Sequence, residues 1–140
     1  MESISDSYSK LREKLVTDRD NVDQELIQHP PTMQDAAELS AMANDAERQA
    51  RQNRDRTKAA AAARLRETIE KISDTAINAR LALEEDVIEA EQALNDATLE
   101  MKFCSGLLES FKEKGYSIRK LADLIQSTYT APNSNSPRPR

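Results

Sequence analysis

The sequence predicts an all-α fold, a long antiparallel helical hairpin of coiled-coil type with short N- and C-terminal helices, and three observations carry this. From Leu83 to Phe111 apolar residues return every seven positions in two offset series: Val87, Leu94, Met101 and Leu108, and Leu83, Ala90, Ala97, Cys104 and Phe111. That is an a/d seam, which needs a partner helix rather than a globular core. Two glycines and 32% charged residues suit long helices, not a sheet protein rich in turns. Finally, the pattern breaks near Ile72, so two long helices must fold back on each other.

The elements follow in order. Tyr8, Leu11 and Leu15 stand at helical spacing, which predicts a short amphipathic helix over about Ser7 to Val16 that docks on the long helices or on a neighbouring subunit. His29-Pro30-Pro31 reads as a rigid elbow, because two prolines remove two donors and fix φ. The lone His29 there reads as an exposed turn residue. Residues 1–31 thus form an N-terminal helix and elbow, 32–129 the hairpin with a C-terminal helix, and 130–140 a tail.

Thr32 with Asp35 resembles a capping box, opening a helix that ends near Glu67 to Lys71. Its seam is made of small residues, Ala36, Ala43, Ala50 and Thr57 beside Leu39, Ala46, Asn53 and Ala60, with Asn53 as a polar register device. Ser73 or Asp74 caps the next helix, expected over Thr75 to Lys114 and about 60 Å long. Gly115 reads as its C′ residue, and Ser117 as the cap of a final helix striped by Ile118, Leu121, Leu124 and Ile125. The Pro-, Ser- and Asn-rich 130–140 segment, without periodicity, is expected to be disordered.

Aromatic residues make up 4% of the chain and Trp is absent, so one copy has a thin core and self-association is the expected source of stability. One cysteine excludes an intramolecular disulfide framework and fits a reducing, cytoplasmic setting. No apolar run is long enough to span a membrane, and Met1 to Ser9 has neither a basic n-region nor an apolar h-region, so neither export nor membrane insertion is expected.

The net charge of -5 argues against nucleic acid, but its distribution argues the other way. From Arg48 to Arg66 seven bases stand against the single acid Asp55, and from Glu84 to Glu100 seven acids stand with no base. A hairpin sets these stretches opposite each other. Glu84, Asp86, Glu91 and Glu100 flank the seam, as do Arg54 and Arg56, whereas Arg48, Arg51, Lys58 and Arg66 point outward, free for a phosphate backbone. The chemistry of catalysis is missing. Gly106 and Gly115 lie nine apart, excluding a P-loop; one His and one Cys support neither a zinc site nor a Cys-His nucleophile; and the acidic stretch holds no Glu-x-x-His pair for a metal. No enzyme, cofactor or metal is expected.

The segment Lys102 to Gln126, KFCSGLLESFKEKGYSIRKLADLIQ, resembles the C-terminal part of the UvsY family, the recombination mediators of tailed bacteriophages. The shared pattern is Phe103-Cys104-Ser105-Gly106, an apolar helix, a basic stretch ending at Gly115, an aromatic, Ile118 and a final amphipathic helix. Upstream, Glu85-Asp86-Val87-Ile88 with Glu91 and Leu94 fits as well. The resemblance covers about forty residues, Glu84 to Ile125, and is loose before Arg64.

It implies an all-helical subunit in a homo-oligomeric ring of six to eight copies, binding single-stranded DNA and helping a recombinase replace the single-strand binding protein. In the family a K-x-R-L element carries DNA binding; Arg64-Leu65 matches its R-L, while Ala62 stands where its lysine would be. Arg64, from the resemblance, joins Arg48, Arg51, Lys58 and Arg66, from the outward heptad faces, as the expected DNA-binding set, and the periodicity gives Leu83, Val87, Leu94, Met101, Cys104, Leu108 and Phe111 as the oligomer or core seam. The competing expectation is a structural coiled coil or protein adaptor that binds no DNA.

Overall fold

The computed structural model describes residues 2–130, so residues 131–140 of the expected tail lie outside the described residues. Four helices follow in sequence: α1 (Ile4–Glu13), α2 (Val22–Thr68), α3 (Asp74–Leu81) and α4 (Glu85–Thr130). The two long ones, about 70 Å each at 1.5 Å per residue, lie antiparallel. Arg64 meets Asp86 near the turn, and Glu25 meets Lys114 at the open end.

α1 starts at Ile4, three residues earlier than expected, behind the N-cap Ser3, whose hydroxyl accepts from the Asp6 amide. It packs on both long helices through Leu11, as its amphipathic spacing requires.

The proline elbow is not there. Pro30 and Pro31 lie inside α2, which starts at Val22 and runs through them. The two prolines leave the carbonyls of Leu26 and Ile27 without their i+4 donors. The helix is held by tertiary contact instead: Val22 is buried, and the His29 ring faces that of Phe111 at 6.5 Å. His29 is accordingly half-buried rather than an exposed turn residue. Thr32, expected as a cap, donates its hydroxyl to the Gln28 carbonyl within the helix.

Along α2 the buried line is Ala36, Leu39, Ser40, Ala43 and then Ala61, with Ala46, Ala50 and Thr57 half-buried. Asn53 and Ala60, expected in the seam, are exposed. A strict heptad drifts by about 20° per repeat on an α-helix, and over three repeats the inward line passes from Ala60 to Ala61.

The second expected helix is two. Ser73 caps α3 as its sequence suggests, accepting from the Ala76 amide at 3.2 Å, but the chain kinks through Ala82 to Glu84 before α4 begins. Leu83 falls in that kink and is 79% exposed, so it is no seam residue. Leu81 takes its place, buried with Ala61, Ile77 and Val87 in a small core at the hairpin tip. The turn before α3 places Lys71 at φ 60°, in the left-handed region.

A larger core at the open end joins Leu11, Ala36, Leu39, Ala43, Cys104, Leu107 and Phe111, with Met101 and Leu108 packed against it. Val87, Leu94, Cys104 and Phe111 are buried as the heptads require. Nor does α4 stop at Gly115: it runs to Thr130 without a separate final helix. The reason is packing, since Gly115 falls one heptad after Leu108, and a Cβ there would come within 2.6 Å of His29 Nε2. Ile118 is buried one turn further on, while Leu124 is exposed and Ile125 partly so.

Candidate nucleic-acid interface

The five cations expected to contact DNA all sit on α2, and each faces a carboxylate. Arg48 pairs with Asp45 and Arg51 with Glu47, one helical turn back on the same helix. Lys58 crosses to Glu91 of α4 at 2.6 Å, Arg64 to Asp86 of α4 at 2.9 Å, and Arg66 reaches Asp74 of α3 at 3.4 Å. Lys58 was expected to point away from the seam; instead it flanks it, and its reach to Glu91 ties the two helices together. Arg54, with Asp55 at 2.9 Å and Glu91 at 3.9 Å, completes a cross-helix cluster. Arg56 is exposed and borders a depression with Asp86 and Glu89.

Electrostatics follow the geometry. The hydrogen bond from Arg64 holds the Asp86 carboxyl below its ordinary range, and that from Lys58 does the same for Glu91. Arg64 is raised in turn, chiefly by the same bond to Asp86. All five cations keep substantial exposure, so these pairs are surface interactions worth at most about 1 kcal/mol each.

The five do not form one patch. At 3.6 residues per turn, Arg48, Arg51, Lys58 and Arg66 leave α2 within about 80° of one another, along roughly 27 Å of axis, while Arg64 leaves on the opposite flank of the seam. The structure therefore joins four of them into a stripe and separates the one that the family resemblance marks.

A second charged cluster, missed in the sequence, lies at the open end. Lys114 Nζ contacts Glu25 at 2.8 Å and donates to the carbonyls of Lys14 and Val16, which pins the α1–α2 connection to α4. Both side chains of this pair are largely buried. Burial works against the Glu25 carboxylate, but the bonds from Lys114 and the Asp18 amide outweigh it and lower its pKa. His29 beside it is shifted down by burial and by the cations Lys114 and Arg119, against Glu25. The signal in the sequence was Gly115 at a seam position, which a reading of it as a helix terminator hides. A cavity of about 300 Å³ opens here between Lys14, Glu25, His29 and Lys114.

Among the described residues no group of three or more His, Cys, Asp or Glu side chains could hold a metal ion. Among the described residues no helix is long and apolar enough to cross a membrane. No family model, no curated protein and no solved structure matches the chain.

Proposed function

We propose that this chain is a recombination mediator, which binds single-stranded DNA as a homo-oligomer and helps a recombinase displace the single-strand binding protein. Two lines support the reading: the resemblance over Glu84 to Ile125, and an all-helical subunit of paired long helices, the kind of architecture that resemblance implies. The observation that carries it is the stripe of Arg48, Arg51, Lys58 and Arg66 along one flank of α2. Their carboxylate partners are held at the surface by weak pairs, so a phosphate can take over as partner at small cost.

One stripe is a short track. In a ring of copies it repeats, and linked sites multiply affinity through effective concentration, so each subunit needs only two or three phosphates. With few aromatics for base stacking, contact runs through the backbone and base preference is small. The strand is thereby held extended and presented to the recombinase. Catalysis has no part in this scheme.

A second reading is favoured by a specific observation: every one of the five candidate cations already has an acidic partner within the chain. A protein adaptor or scaffold without DNA contact fits that saturation. Fluorescence anisotropy with a long single-stranded oligonucleotide separates the two. A mediator binds at about 50 mM salt and loses affinity with a log–log slope near -0.7 per phosphate contacted. Combined Arg48→Ala, Arg51→Ala, Lys58→Ala and Arg66→Ala substitutions reduce that slope. Absence of binding at low salt leaves the adaptor.

A further inference from the structure

The acidic partners of the α2 stripe are not equivalent. Arg48 and Arg51 are each held by one carboxylate a turn back on their own helix, and Arg66 reaches only the exposed Asp74 at 3.4 Å. Those three pairs are local or loose. Glu91 differs, because it comes from the other long helix and, among the described residues, is the one carboxylate that meets two cations, Lys58 at 2.6 Å and Arg54 at 3.9 Å. Asp55 also lies on the stripe, but Arg54 neutralises it from the neighbouring position at 2.9 Å, so it takes none of the four stripe cations.

The place of the pair matters as much as its geometry. Lys58 stands about 10 Å along the helix axis from Arg51 and about 12 Å from Arg66, so without it the stripe falls into two pieces about 22 Å apart. Its ammonium is the link between them. Both side chains keep part of their surface in water, Lys58 42% and Glu91 36%, so a strand reaches the pair without unfolding any element.

We infer that Glu91 is a tethered competitor for the strand: it occupies Lys58, the middle link of the stripe, and yields it only to a polyanion that Arg48, Arg51 and Arg66 already hold. The inference rests on the DNA-binding reading above and names what regulates that site. A carboxylate fixed on the same molecule competes at an effective concentration of about millimolar or above, which a more dilute free phosphate does not match. A strand anchored on the neighbouring cations does match it, since its next phosphate is tethered too. The exchange leaves the freed carboxylate beside a phosphate, and the two like charges repel. Glu91 therefore lowers affinity for every strand alike, and the filter reads the number of linked phosphates rather than the bases.

Fluorescence anisotropy with a long oligothymidylate at about 50 mM salt, where phosphate contacts are strong, tests this. Glu91→Gln keeps the shape of the side chain, and an exposed pair contributes little to stability, so circular dichroism shows helicity retained. The variant binds about tenfold more tightly than the wild type, as the loss of two exposed pairs to one competitor allows. Glu91→Ala shifts affinity in the same direction. In a Lys58→Ala background the gain from Glu91→Gln falls to about twofold, what is left when one negative charge goes but the withheld cation is already absent. An equal gain in both backgrounds reduces the effect to net charge and overturns the competitor. Binding by the wild type that Glu91→Gln leaves unchanged overturns it too, while strand recognition stands. No binding by wild type or variant overturns both readings together.

Discussion

Replacing Gly115 by alanine tests the packing that carries α2 through its prolines. Two effects oppose. Alanine in a helix interior is favoured over glycine by about 1 kcal/mol. Against that, its Cβ would stand 2.6 Å from His29 Nε2 and 3.2 Å from Cδ2, both inside van der Waals contact. The imidazole is backed by Phe111, with ring centroids 6.5 Å apart, so it has little room to retreat on that side. Overpacking of this kind costs about 1–3 kcal/mol.

The expected result is a net loss of about 1 kcal/mol, some 3 °C in midpoint temperature for a chain of this size. In a His29→Ala background the clash vanishes, and Gly115→Ala becomes stabilising by about 1 kcal/mol, a coupling near 2 kcal/mol. Urea unfolding of the four proteins of this cycle, followed by circular dichroism at one fixed protein concentration, measures it. Stabilisation by Gly115→Ala with His29 present would refute the account of why α4 does not end there.

Further outcomes follow from the same structure. Leu11→Ala, which empties the anchor of α1, costs about 2–4 kcal/mol of docking and speeds reaction of Cys104 with a thiol reagent; an unchanged thiol rate shows that α1 does not cover it. Lys71→Gly relieves a left-handed backbone and raises stability by about 1 kcal/mol in thermal unfolding, whereas a loss there contradicts the turn.

The His29 imidazole, held below its ordinary 6.5 by burial and by Lys114 and Arg119, favours its neutral form in the fold. The unfolded chain therefore takes up the proton first. Stability contributed by this group is complete above pH 6.5 and is lost as the pH falls from there towards the folded value. Urea midpoints between pH 5 and 8 should show that slope shrink in His29→Gln; an identical slope assigns it to other groups.

What was legible in the sequence was periodicity. Val87, Leu94, Cys104 and Phe111 announced the inward face of α4, and Ala36, Leu39 and Ala43 that of α2, because burial repeats where the partner helix repeats. What misled was punctuation. Pro30, Pro31 and Gly115 are read as stops when each is considered with its neighbours in sequence, but His29, next to the prolines, fits against Gly115 across the hairpin, and local propensity yielded to that tertiary contact. Leu83 was in phase but not in helix, since a heptad count cannot see a kink. For the candidate site, residue identity, helix and even the split of Arg64 from the other four, which follows from 3.6 residues per turn, were readable, whereas the partners Glu91, Asp86 and Asp74 depended on how one helix sits on another.

The antiparallel arrangement also orders assembly in time. Closing Arg64 onto Asp86 spans 22 positions of chain, whereas joining Lys114 to the carbonyl of Lys14 spans 100. Short loops lose less entropy on closure, so the chain zips from the tip around Ala61 and Ile77 towards the open end, and α1 latches last. Substitutions near the tip should then slow refolding, while those around Leu11 and Lys114 chiefly hasten unfolding.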